Sequence, residues 1–301
     1  MFSNKDLRKL IIPLVIEQLL AVTIGMADTV MVSSCGEAAV SGISLVDSIN
    51  FLLITLFSSL ATGGAVIASQ YIGRGDHKSA SLAAKQLFYA SLALSAVLGI
   101  IAVFFRKPVL NMVFGSIEAD VMAHAQIYFL LSAISYPFLA VYNAGAALFR
   151  SMGDSRTTML ISILMNTINI VGNAILIYGF QMAAAGAATA SLVSRAVGAI
   201  IITVLLLNPH RIIFYDKLHK PEIHLSMLKS ILQIGVPNGL ENSIFQIGKI
   251  LVASIVSGFG TISITANAVA GNLASLQVIP GMALGMAMIT VVGQCIGAKD
   301  Y

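Results

Sequence analysis

Five ionisable residues interrupt long apolar runs: Glu17 and Asp28, Arg195, Glu241 and Lys249. A charge at the centre of a membrane helix costs about 2.5–3.5 kcal/mol on insertion scales, so such groups normally face a partner or a cavity. Carboxylates held this way can bind and release protons or cations. Glu17 and Asp28 are separated by about 20° of helix rotation and so share a face. Asn166, Asn169 and Asn173 recur at i, i+3 and i+7, a polar stripe on an apolar run. Tyr136 and Asn143 share a face in the run before it. Membrane amides also bond neighbouring helices without further role, for about 0.6 kcal/mol on average. Arg195 reads as half of a structural ion pair, Lys249 as the partner of a carboxylate, and Asp47 as interfacial. Glu17 and Glu241 each follow a proline by four residues, so two roles stay open: lining a cavity, or satisfying backbone groups the proline frees.

Enzymatic chemistry finds no support. The histidines (77, 124, 210, 219 and 224) lie in loops or near the ends of apolar runs, so no Ser–His pair sits within one. G-R-G-D at 73–76 resembles an intramembrane aspartyl-protease motif, but it falls in a basic loop, where its glycines read as turn punctuation. No phosphate-binding loop occurs, which excludes ATP-driven pumping by this chain. Cys35 and Cys295 have neither metal nor disulfide spacing. No cofactor, resident metal or nucleic-acid partner is expected.

Apolar runs must position these residues. The chain is 57% hydrophobic and 10% charged, with a mean hydropathy of +0.91, whereas soluble domains carry about 25% charged residues. Helical spans are expected near 10–32, 44–70, 84–105, 122–148, 157–179, 185–207, 230–257 and 265–294. Each approaches or exceeds the roughly 20 residues that cross a bilayer. Sorting cations by loop puts Lys5, Arg8, Lys9, Arg74, Lys78, Lys85, Arg150, Arg156, Arg211, Lys217, Lys220, Lys229 and Lys299 on one side. Only Arg106 and Lys107 fall on the other, which makes the first side, and the N-terminus, cytoplasmic. A cleaved leader is not expected, because Glu17, Gln18 and Asp28 sit inside the first run.

The run from Pro13 to Asp76 recurs 224 positions later. Pro13 falls on Pro237, Glu17 on Glu241, Gly36 on Gly260, and Gln70, Ile72, Gly73 and Asp76 on Gln294, Ile296, Gly297 and Asp300. Such a long period means two related halves rather than a solenoid. Six spans separate the copies, so the repeat is parallel, with its axis along the membrane normal. The expected fold is an all-α polytopic membrane protein. It comprises a six-helix lobe (1–207), a cytoplasmic linker (208–229) and the first two helices of a second lobe (230–301). The repeat leaves residues 78–224 without counterparts, so a fragment of a twelve-helix transporter is expected.

The motifs carry a resemblance. P-x-x-x-E-Q with M-A-D-T-V-M-V, Q-Y-I-G-R-G-D, L-F-R-S-M-G-D-S-R-T, N-T-I-N-I-V-G-N and G-A-A-T-A-S-L-V-S-R follow in order. Together they resemble the multidrug and toxic compound extrusion (MATE) family, in its bacterial DinF-like branch. The resemblance implies export of cationic or amphiphilic compounds in exchange for H⁺ or Na⁺ by alternating access, from a monomer in the bacterial cytoplasmic membrane. It assigns Asp28, Asn143, Asn169, Asn173 and Ser191 to a cation or proton site, with Na⁺ at Asp28 as the one metal it admits. Asn173 stands where many members have aspartate, which favours a single protonated acid over a Na⁺ cage. Glu17, Tyr136, Asn166, Thr189, Glu241 and Lys249 are the expected cavity residues. The other readings are a flippase of lipid-linked precursors, which would need a more basic cavity, and an inactive fragment.

Overall fold

A computed structural model of the chain describes residues 2–114, 118–215, 222–257 and 261–300. Eight long helices follow one another: α1 (Asn4–Ser33), α2 (Glu37–Gly73), α3 (His77–Phe114), α4 (Ala119–Ser151), α5 (Ser155–Asn173), α6 (Ala183–Leu206), α7 (Leu225–Ser257) and α8 (Thr261–Ala298). A π-helical segment, Ala174–Gly179, prolongs α5. The helices outrun the expected spans at most ends, because polar first and last turns continue the hydrogen-bond ladder past the apolar stretch. At 1.5 Å per residue, α2 reaches about 55 Å, well beyond the roughly 30 Å of hydrocarbon, whereas α3 is kinked at Phe105, whose φ of −106° and ψ of 18° are not helical. Helices α1 to α6 and the Leu276–Ala298 part of α8 are long and apolar enough to cross a membrane. Helix α7, which carries Lys229, Glu241 and Lys249, is not among these.

Local signals explain the breaks between helices. Ser3 and Asp6 form a capping box that starts α1. Gly36, Gly75 and Gly153 hold left-handed φ values of 94°, 76° and 83° between consecutive helices, a conformation that costs most residues about 1–2 kcal/mol. Asp76 and Asp154 follow two of these glycines and cap the next helix, accepting from the Ser79 and Thr157 amides at 3.0 and 3.1 Å. The Ser79 hydrogen bonds hold the Asp76 carboxyl below the usual carboxylate range. G-R-G-D is therefore a turn and cap, as its glycines suggest.

The ends of α1, α4, α6 and α7 that bear the loop cations define a basic face. Around the first six helices the contacts close most of a ring: α1 on α5, α5 on α6, α6 on α4 and α4 on α2, with α3 outside against α2 and α4. Leu87, Leu148, Phe149, Ile202, Leu206, Ile213, Tyr215 and Ile231 pack its basic end. Val46, Phe57, Leu110, Phe129 and Tyr136 pack the opposite half. Val97, Ile100, Ile101, Phe104 and Met112 of α3 remain exposed, as residues facing lipid would.

The linker lies partly in place. Ile213 and Tyr215 are buried, and Tyr215 stacks on Phe88 at 5.3 Å between ring centroids. Arg211 pairs with Asp154 at 3.1 Å, and Gln86 of α3 bonds Glu222 and His224. The expected linker residues 216–221, with Lys217 and Lys220, lie outside the described residues.

The repeat is visible in space as reciprocal contact. Gly73 of α2 abuts the Gln294 backbone of α8, and Gly297 of α8 abuts the Gln70 backbone of α2. Residues 73 and 297, and 70 and 294, are the 224-spaced mates. Ser69 meets its own mate Gly293. Contacts of i with j and of j with i are the signature of a two-fold axis, so this axis passes between α2 and α8. Lys299, the mate of Gly75, also takes a left-handed φ of 57°.

Described contacts between the first six and last two helices are found towards the basic end. Leu10 and Leu14 pack on Ala283 and Ala287, Gly235 rests on Ser59 and Leu60, and Thr290 and Gln294 donate to the Arg150 and Ser151 carbonyls. Farther along α7, Leu240, Ile244, Phe245, Leu251 and Ile255 are exposed.

Candidate functional site in the first six helices

Polar side chains collect in two places, and the first lies away from the basic face. Asp28, near the far end of α1, accepts from Asn173 Nδ2 at 2.6 Å. Asn173 Nδ2 also stands 3.4 Å from Asn169 Oδ1, and Asn169 Nδ2 donates to Ser191 Oγ at 3.0 Å. One chain of contacts thus joins α1, α5 and α6. Asn169 and Asn173 are buried, and Asn173 Oδ1 has no hydrogen-bond partner among the described residues. An unsatisfied buried acceptor costs about 1–3 kcal/mol, so this oxygen suits a proton donor or a cation.

A second polar string borders it. Asp47 of α2 accepts from Tyr128 Oη at 3.0 Å and Asn50 Nδ2 at 3.3 Å. Buried Asn50 is itself fixed by the Tyr136 hydroxyl at 2.8 Å and by Ser132 Oγ at 3.3 Å. Arg195 of α6 donates to Ser135 Oγ at 2.7 Å.

The second place lies nearer the basic face. Glu17 is buried, pairs with Arg150 at 3.3 Å and accepts from Thr158 Oγ1 at 2.9 Å. The next carbonyls along α4 are those that Thr290 and Gln294 bind. Truncating Arg150 to methionine would strand a buried charge, a loss of about 3–5 kcal/mol. A clear drop in the thermal midpoint in detergent is expected. The Glu17→Gln/Arg150→Met double variant should recover most of it, and equal losses in single and double variants would exclude the pair as the cause.

The structure brings together Asp28, Asn169, Asn173 and Ser191, and corrects several expectations. Glu17 shares a helix with Asp28 but lies about 16 Å along it and is engaged with Arg150, so it lines no cavity. Tyr136 is fully buried and bonded to Asn50, so it too lines no cavity. Asn143 lies two turns from the basic end of α4 and makes no hydrogen bond to the Asp28 group. Asn166 bonds Ser162 instead of continuing the stripe, and Thr189 bonds back to Ala185, leaving Ser191 as the α6 hydroxyl. Arg195 forms no ion pair among the described residues. Glu241 and Lys249 are exposed, and Lys249 Nζ sits 5.0 Å over the Phe245 ring rather than on a carboxylate. Both cysteines are free.

Asp47, which the sequence marks as interfacial, lies well inside α2, and its partners Asn50 and Tyr128, with Ser132 and Ser135, are polar residues that the sequence does not single out. Their signal is a pattern: Asp47 and Asn50 at i, i+3 face Tyr128, Ser132 and Ser135 at helical spacing.

A parallel repeat of membrane helices around an acid–amide cluster defines a polytopic protein built in two like halves. The MatE family model matches residues 13–175 and 237–301, two stretches whose starts are the repeat mates Pro13 and Pro237. The chain belongs to the MATE family. A probable multidrug resistance protein NorM of Thermotoga maritima is 29% identical over 309 residues, 99% of this chain and 65% of that protein. The uncharacterized transporter YisQ of Bacillus subtilis is 29% identical over 302 residues, 96% of this chain and 64% of that protein. The chain therefore spans about 65% of the length of these relatives. The fold matches a MATE protein in a bent conformation (TM-score 0.90, 22% identity, 98% of this chain and 66% of that one). It equally matches an outward-facing multidrug resistance MATE transporter (TM-score 0.90, 23% identity, 98% and 65%).

Proposed function

We propose that the complete protein exports cationic or amphiphilic compounds from the bacterial cytoplasm in exchange for H⁺ or Na⁺, with Asp28 as the coupling acid and the basic face in the cytoplasm. The observation that carries this reading is Asp28 held by Asn173, whose buried carbonyl oxygen lacks a partner among the described residues. A proton on Asp28, or a hard cation among the oxygens of Asp28, Asn169, Asn173 and Ser191, answers that arrangement chemically. Described contacts between the repeats at the basic end support a state closed to the cytoplasm. Export then requires those contacts to break and re-form. A flippase of lipid-linked anionic precursors would need more than one cation here, and among the described residues Arg195 is the one cation that borders the site.

The test is ethidium or norfloxacin accumulation in a pump-deficient host expressing the complete reading frame. Lower accumulation, reversed by a protonophore and indifferent to external Na⁺, is the result for H⁺ coupling. Dependence on the Na⁺ gradient is the result for Na⁺. Accumulation equal to the empty host, with the protein confirmed in the membrane, would sink the reading.

A further inference from the structure

Asp28 does not stand alone. One turn from Asp28, Val32 packs in a single cluster with Ile43 of α2 and Ala184 and Ala187 of α6, against which Tyr128 of α4 also rests, so the Tyr128–Asp47 pair borders the same region as Asp28 and Asn173. Asp47 is accessible, yet its Oδ1 accepts from both Tyr128 and Asn50. Asn50 is in turn clamped by Tyr136 and Ser132 of α4. A carboxylate with no function beyond solvation needs no such frame. Arg195 donates to Ser135 Oγ of α4, one turn from the Ser132 that holds Asn50. It is bound to neither acid among the described residues, so it balances charge across the site without occupying a carboxylate. The charged and titratable groups around the space are thus Asp28 from α1, Asp47 from α2, Tyr128 from α4 and Arg195 from α6, with Tyr136 buried behind Asn50; α5 contributes the neutral Asn173.

We propose that Asp47 is the second acid of this site and Arg195 its fixed counter-charge, so that the open site carries one net negative charge and selects monocations over dications. The inference rests on the cation-binding reading above and names its selectivity. With both acids ionised and Arg195 charged, the formal sum is −1. One bound monocation, or one proton, brings it to neutrality, and a second positive charge would face Arg195 uncompensated. Removing Asp47 leaves Arg195 balancing Asp28, and the attraction for a monocation disappears although Asp28 is intact. Removing Arg195 leaves −2, which suits a dication. Removing both restores −1.

Two dyes with the same phenanthridinium core test this directly, ethidium with one positive charge and propidium with two. Their binding to the purified complete protein is followed by fluorescence anisotropy at pH 8. Wild type is expected to bind ethidium more tightly than propidium. Asp47→Asn should weaken ethidium about tenfold, as the loss of one nearby charge implies at the effective dielectric of about 20 that applies near a protein surface. Arg195→Gln should reverse the preference in favour of propidium. The Asp47→Asn/Arg195→Gln double variant should return to wild-type order, a rescue that misfolding cannot produce; thermal midpoints accompany each variant. Wild-type affinity in Asp47→Asn, or a double variant as weak as Asp47→Asn alone, would overturn the proposal, as would a wild type that binds neither dye. Ethidium binding with the expected charge pattern but no coupled efflux would leave the proposal standing and sink the antiport reading instead.

Discussion

Asp28→Asn in the complete protein is expected to insert and fold normally and to lose gradient-driven efflux, by at least about tenfold in initial rate. The amide is nearly isosteric and cheaper to hold within the membrane than a carboxylate. Its carbonyl can still accept from Asn173 Nδ2, which meets Asp28 at 2.6 Å, so the contact between α1 and α5 persists. What disappears is the alternation between a charged form, which attracts a cationic compound, and a neutral form, which releases it. Reciprocal linkage between proton and substrate requires that a group change state, and asparagine does not titrate. Asp28→Glu keeps the charge but moves the oxygens by one methylene, out of register with Asn173, and should retain partial activity. Uncoupler-sensitive ethidium efflux in everted vesicles, normalised to protein in the membrane, checks both variants. Undiminished efflux by well-inserted Asp28→Asn would show that another acid couples. Asp47 would then be the candidate, since Glu17 is committed to Arg150 and Thr158.

How far the sequence discloses this site follows from the kind of signal each residue leaves. Asp28 stands within an apolar run, and its cost there marks it without any structure. Asn169 and Asn173 are legible because helical periodicity puts them on one face, although the same rule wrongly adds Asn166, which bonds back along its own helix. Asp47 escapes because hydropathy places the start of its span at about 44, whereas α2 begins at Glu37. Nearly three turns precede Asp47, in which Glu37, Ser41, Gly42 and Ser44 interrupt the apolar residues, so an acid well inside a helix looks interfacial. Tyr136 shows the opposite error: polar spacing suggests a cavity wall, but its ring is packed against Phe57 at 6.0 Å and only its hydroxyl is spent on Asn50. The repeat is the most legible feature, since Pro13, Glu17, Gln70 and Gly73 keep their types 224 positions on. Its meaning becomes clear only when Gly73 and Gly297 are seen against each other's helices.

That crossing gives the other large effect. Gly73→Leu is expected to weaken closure at the basic end and to abolish efflux while leaving Asp28 and its partners untouched. A side chain at residue 73 would meet the Gln294 carbonyl, and one at 297 the Gln70 carbonyl. Backbone oxygens inside a helix cannot rotate aside as a side chain would, so α2 and α8 must separate as units. Overpacking of this kind costs about 1–3 kcal/mol, which shifts an equilibrium between two states by roughly 5- to 150-fold. The closed arrangement carries the whole penalty and a state parted at the basic end carries none, so the population moves to the latter. Cys295, beside Gln294 and half-buried, is a native reporter once Cys35 is replaced by serine. Its labelling by an impermeant maleimide in everted vesicles should accelerate several-fold or more in Gly73→Leu and in the mate variant Gly297→Leu. Gly281→Leu, at a position on α8 with open space around it, should label as the parent does. If Gly73→Leu neither exposes Cys295 nor impairs efflux, the glycine crossing is not a contact that transport makes and breaks.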